Sequence, residues 1–243
     1  MAEKMDVEAR IAHFLRVSED PAATQAERDT AGREAERLLA KHAIDRLTLD
    51  VEGARRAERE PIERASVTVQ GGRGTVALDI VLGLIDVAGS LGLVGHYRDR
   101  RAMTPEPFVE LVLTGFRSDL ALAVPLLQSL QTQAVLAGRS WWRSDPRHRL
   151  LPRWDALLAR CAFARAFGQG AAARLRASRE AAIDGTGTAL VVASREARVQ
   201  EWVEQHVRTR SVTDRRSFSG YGRAPGYAAG LRSSGSARRA IGT

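Results

Sequence analysis

The stretch Ala65–Leu91, "ASVTVQGGRGTVALDIVLGLIDVAGSL", changes its hydrophobic period partway along, and that change decides the fold class. Its first six residues alternate β-branched with small or polar side chains, which predicts a strand over Ala65–Gln70 that Gly71 and Gly72 end in a turn. From Thr75 to Leu91 apolar residues cover most of a helical period, leaving Asp79, Gly83, Asp86 and Ser90 as the one polar or small face. The two acids share that face about 10 Å apart along the axis and read as a solvated side. They also argue against a bilayer span, since a carboxylate near mid-membrane costs roughly 2.5–3.5 kcal/mol. A buried helix directly after a strand predicts an α+β fold.

Working outward, "LVGHYR" (Leu93–Arg98) and "FVELVLTGF" (Phe108–Phe116) are short β-rich runs around a Thr-Pro-Glu-Pro turn, and they predict an antiparallel pair. Helices are expected over Ser118–Ala137, opened by Ser118 or Asp119 and with Pro125 in its first turns or at a kink, and over Trp154–Ala181. "TALVVAS" (Thr188–Ser194) reads as a last strand and "REARVQEWVEQHV" (Arg195–Val207) as a last helix. These elements form an α+β domain over residues 65–207. Before it, residues 50–64 read as a charged linker or solvated helix.

Residues 1–49 carry two helical stripes, Val7, Ile11, Phe14, Leu15, Ser18 and then Ala31, Ala35, Leu38, Leu39, His42. Between them Thr24 and Glu27 have capping-box spacing, in which each side chain accepts the other residue's free N–H. Facing stripes with small alanines predict an antiparallel two-helix hairpin. The Arg-, Gly- and Ser-rich residues 208–243 read as a flexible basic tail with at most a short helix near Tyr227.

The formal charge is +8, and from Val207 onward eight arginines face one aspartate, so seven of those charges lie in the tail and the body is close to neutral. Arginine supplies 35 of the 37 basic residues, a bias that fits a GC-rich genome better than selection for phosphate contacts. Cys161 is the sole cysteine, which excludes an intramolecular disulfide and a Cys-based zinc site and fits a reducing compartment. With no apolar run at the N-terminus, the expected location is the cytoplasm.

Catalytic patterns are weak. Gly71, Gly72 and Gly74 follow a strand and precede a helix, the order of a phosphate-cradling loop, but lack the Lys-Ser/Thr of a P-loop and a full G-x-G-x-x-G. His13, His42, His96, His148 and His206 form no H-E-x-x-H, and Cys161 lies in an apolar helical run. No cofactor is implied, and an enzyme such as a nuclease requires a site assembled only by the fold. The segment "GRSWWRSDPRHRLLPRW" (Gly138–Trp154), read as a loop between helices, holds three of the four tryptophans. Trp141, Trp142, Arg143, Arg147 and Trp154 are candidate partner-binding residues, because Trp and Arg dominate binding hot spots; the alternative is that the tryptophans fold onto the core. His13, Leu38 and His42 are candidates on the hairpin. Arg208, Arg210, Arg215 and Arg216 are the candidates for a nucleic-acid-binding tail.

Taken in order, "AERLLAKHAID", "LTGFRSDLALAVPLLQSLQTQA", "ARCAFARAFGQGAAARLRASREAA", "ALVVASREARVQEWV" and "GYAAGLRSSG" resemble an uncharacterised family of actinobacteria and their phages. Its hairpin closes on an A-x-x-L-M-x-K-H-G-I sequence; here Leu39 replaces the Met and Ala43 the Gly. The resemblance covers most of the chain. Members of this size resemble recombination directionality factors of large serine integrases. That implies a non-catalytic cytoplasmic protein in a bacterial host that binds the integrase, through its coiled-coil part, with only indirect or weak DNA contact. It would permit excision between attL and attR and inhibit integration.

Overall fold

The alternation after Pro61 becomes β1 (Ile62–Gln70), one edge of a three-stranded antiparallel sheet of order β1-β3-β2. The centre is β3 (Phe108–Phe116) and the other edge is β2 (Val94–Asp99). The computed structural model describes residues 60–72, 74–102, 105–184, 189–208 and 221–233, and before them 10, 11, 13, 14, 16, 17, 24, 27, 30–35, 37 and 38. Register places Val67 opposite Leu111, Val69 opposite Val109 and Ala65 opposite Leu113. Residues two apart share a face, so Val67, Val69, Val109, Leu111 and Leu113 form one apolar sheet surface, all buried. The strand starts at Ile62, not Ala65, because Ile62 pairs with Phe116 and the full length of β3 is matched. Part of the expected linker therefore belongs to the sheet.

On the apolar surface lie α1 (Ala77–Ser90) and α2 (Arg117–Ser144), and α3 (Arg153–Ile183) packs on both. A helix apolar almost all round needs cover on two sides, and α1 has it, with Ile80, Val81, Leu84 and Val87 buried between sheet and α3. Asp79 is fully buried in its first turn, whereas Asp86 is exposed, so the pair does not form the expected solvated face. A carboxylate in a helix's first turn sits at the positive end of the dipole. By length and composition α2 could cross a bilayer; here its stripe of Leu120, Ala123, Leu126, Leu127 and Leu130 is buried, and the helix packs on β1 and β3. Pro125 lies inside it, beyond the first turn.

The other sheet face carries Val112, Thr114 and Phe116 and is covered by α4 (Ala189–His206). The expected strand at Thr188–Ser194 is thus helical from Ala189. Val192 joins Val199 and Val203 in one buried stripe, while Leu190 stays 84% exposed, so helical spacing rather than β-propensity sorts the run. α2 also departs from expectation at both ends. It continues through Ser144, absorbing half of the supposed Trp-Arg loop. Its first turn is satisfied not by Ser118 or Asp119 but by Glu60, whose Oε1 accepts the Ser118 N–H at 2.8 Å.

The short helix expected near Tyr227 is present. Arg223–Arg232 form α5, which lies flat on α3. Gly222, Gly226 and Gly230, four residues apart, face the α3 backbone at Ala159, Phe163 and Phe167; a Cβ on any of them would overlap a carbonyl oxygen there. Arg208 is exposed, and Arg210, Arg215 and Arg216 lie outside the described residues. Towards the N-terminus, Thr24 N donates to Glu27 Oε2 (2.7 Å) and Glu27 N to Thr24 Oγ1 (3.4 Å), the reciprocal bonds of a capping box. Ile11, Ala31, Ala35 and Leu38 are buried, and His42 lies outside the described residues.

Two stability tests follow from this packing. At the α1–α3 crossing a Cβ on Gly168 would overlap the Gly83 backbone, so Gly168→Val should cost about 3 kcal/mol or more, whereas Gly89→Ala, with open space around it, should gain about 0.5–1 kcal/mol in urea denaturation. Equal, small effects would contradict the close crossing. His96, under α4, has a buried Nδ1 without a hydrogen-bond partner among the described residues. Burial first, then Arg98 and Arg64, hold its pKa below the ordinary 6.5 against the pull of Glu110. The unfolded chain then takes up the proton more readily, so this contribution is whole above about pH 6.5 and shrinks as pH falls below it. Melting temperature should drop less between about pH 7 and 5.5 in His96→Phe than in the parent, and an identical drop would show that His96 is not responsible.

Candidate functional site

Between the Gly-rich turn and the Trp-Arg segment lies a cleft of about 530 Å³. One wall is the turn after β1 with the start of α1; the other is the last turns of α2 together with Arg160, Phe163 and Ala164 of α3. Two motifs far apart in sequence thus form opposite sides of one concavity. The turn is fastened at several points. Gly71 N donates to Pro107 O (2.9 Å), Thr75 Oγ1 to Gly72 O (2.8 Å) and Ala77 N to Thr75 Oγ1 (3.4 Å). Gly71, at φ 150°, has no room for a side chain, since a Cβ would come within 2.6 Å of Thr75 Oγ1 and 2.8 Å of Ala77 Cβ.

Charge in the cleft has one sign. Arg139, Arg143 and Arg160 are exposed at its rim, and none of the described residues lining it is acidic. Arg139 and Arg143 are one helical turn apart and so share a face of α2. The guanidinium of Arg160 lies 5.4 Å from the Trp142 ring centre, and its Nε donates to Ala156 O at 3.2 Å. A cation over an aromatic face is held in orientation. The interior is apolar, walled by Val76, Ile80, Val135 and Phe163.

The tryptophans separate into two roles. Trp141 stacks on Phe163 (4.8 Å, 17°) and packs against the core, while Trp142 stacks on His148 (4.7 Å, 19°), and both line the cleft. His148 is buried, with Nδ1 hydrogen-bonded to the Trp142 carbonyl (3.0 Å) and its ring edge-on to Tyr221. Trp154, in the first turn of α3, is 61% exposed and outside the cleft. Beside it Leu150 is 83% exposed, and Arg149 and Arg153 are exposed as well. Arg147 lies in the 3-10 turn Pro146–Leu150. His13 is exposed and tilted against Phe14, and Leu38 is buried.

Arg139, Arg160 and Leu150 are site residues that the sequence did not single out. The i,i+4 spacing of Arg139 and Arg143 was the available signal, hidden because Gly138–Ser144 reads as loop. No three His, Cys, Asp or Glu side chains converge on one point among the described residues.

These roles predict opposite responses to truncation. Trp141→Ala should cost about 3 kcal/mol in chemical denaturation, whereas Trp154→Ala should stay within about 0.5 kcal/mol of the parent; the reverse order would contradict the packing. Comparisons with protein-family models, curated proteins and solved structures return no match to this chain.

Proposed function

We propose that this chain is a non-catalytic regulator that docks on a large serine integrase and switches it from integration to excision. The partner's identity comes from the sequence resemblance. One observation supports docking: Leu150, in the 3-10 turn, and Trp154, in the first turn of α3, are exposed, as are Arg149 and Arg153 next to them in sequence. Exposed large apolar groups beside arginines have the composition of a binding hot spot, and leaving them in water has no folding benefit. A second docking element is the N-terminal pair of helices, which we place in an antiparallel hairpin with His13 outward and Leu38 inward. The coiled-coil part of the integrase is the proposed target. To switch the enzyme, the regulator must bind the excision-competent arrangement more tightly than the integrating one, because equal affinity shifts nothing.

A nucleic-acid-binding reading is favoured by a different observation, the unopposed arginines of the cleft together with those of the basic tail. It predicts affinity that falls steeply with salt.

The deciding experiment is purified recombination with the integrase of the same genome on attL × attR and attP × attB substrates. Excision should appear only when the chain is added, with integration suppressed. Leu150→Ala plus Trp154→Ala should raise the concentration needed by about 10-fold or more at unchanged melting temperature. If folded protein alters neither reaction, the regulator reading is lost; a fully active double variant would move the interface elsewhere.

A further inference from the structure

We infer that the cleft between Gly71, Gly74 and Thr75 on one side and the C-terminal turns of α2 on the other is a nucleotide-binding site, with the phosphate held at the rim and the base inside. Neither docking on an integrase nor the basic tail enters into this.

The rim selects an anion. Arg139, Arg143 and Arg160 converge on one opening in a body that is otherwise near neutral, and no described lining residue is acidic. Three guanidiniums on one opening repel one another, an arrangement relieved by a shared anion. Arg139 and Arg143 make no ion pair among the described residues, so their planar donor forks are available, and such forks match phosphate oxygens two at a time. Arg160 is pre-oriented by Trp142.

The interior selects what is attached to the phosphate. About 530 Å³ lies within the range of roughly 300–1,000 Å³ typical of small-molecule sites and is far more than a bare phosphate fills. Its walls are Val76, Ile80, Val135 and Phe163, which favour a flat apolar body over a hydrated sugar alone. Gln131 at the wall already donates its amide to Thr68 O (3.2 Å), which fixes that side chain in one orientation. An anion joined to a planar, weakly polar body is the chemistry of a nucleotide. It is shared by a free mononucleotide and by the phosphorylated end of a single strand.

Intrinsic tryptophan fluorescence tests this on the full chain, since Trp142 lies on the cleft. The probes are AMP, thymidine monophosphate and a 5′-phosphorylated oligothymidylate, with inorganic phosphate, thymidine and a short oligoglutamate peptide for comparison. Saturable quenching by the nucleotides is expected, weakened about 10-fold or more in Arg139→Gln plus Arg143→Gln and in Arg160→Gln, and unchanged in Arg153→Gln outside the cleft. All four arginines are exposed, and melting curves verify that the variants fold. Saturation by mononucleotides identifies a free nucleotide as ligand; saturation by the oligonucleotide alone, lost in the same variants, identifies a strand end. Absence of saturable binding up to millimolar nucleotide, equal affinity in the arginine variants, or oligoglutamate binding as tightly as the nucleotides would each overturn the assignment.

Discussion

The structure hangs on the narrowness of α3. Between Ala159 and Ala172 the buried positions of this helix are Ala, Gly or Cys except Phe163 and Phe167, so two other helices reach its backbone. On one side Gly83 of α1 meets Gly168; on the other Gly222, Gly226 and Gly230 lay α5 against it. Contacts at this range maximise dispersion per residue but tolerate no added methyl group. The depth at which α1 sits then follows, and with it the height of the sheet above. Phe163 occupies the remaining volume, where it receives Trp141 from α2. The cleft is what remains where α1 and α2 diverge above that ring.

A second constraint fastens the far layer. Arg195 of α4 reaches Asp119 (2.9 Å) and Glu60 (3.3 Å) while its guanidinium lies 3.7 Å above the Phe116 ring. Glu60 in turn caps α2 through Ser118 N. One largely buried cation thus joins the entry to β1, the β3–α2 junction and α4, three places distant in sequence. Such a group is costly to desolvate and is retained where its partners fix an arrangement that apolar contacts alone would leave free to slide. Arg64, donating to His206 O (3.1 Å) and lying 5.0 Å from the Trp202 ring centre, holds the other end of the same helix.

What could be read from the chain was local. The strand at Val67 and Val69, the apolar helix after Gly71 and the antiparallel pair around the Pro-Glu-Pro turn each show their period within a dozen residues, and all three are present. The Thr24–Glu27 cap was legible for the same reason. Misreadings arose where the deciding partner is remote. "ALVVAS" has the composition of a strand, yet α4 gains its stripe from Val199 and Val203 further on. The short helix near Tyr227 was legible, whereas the need for bare Gly222, Gly226 and Gly230 was not, because α3 supplies the surface they pack on. The cleft was illegible as a unit: its glycine turn and its tryptophan-arginine segment each stand out in the sequence, but only the fold sets them opposite each other.

The cleft and the turn that carries Leu150 are joined by a run of ring contacts. Trp142 lines the cleft and stacks on His148, and His148 belongs to the same short turn as Leu150. His148 also meets Tyr221, at the start of the segment that carries α5 down onto α3. These rings are close-packed, so a displacement of Trp142 cannot be absorbed locally; it must be passed to His148 or resisted by it. If resisted, the aromatic stack is a rigid wall, and the turn is presented identically whether or not the cleft is filled. If passed on, the 3-10 turn moves with it, since the His148 ring is anchored to the Trp142 carbonyl. Which of the two holds is decided by the contact between His148 and Tyr221.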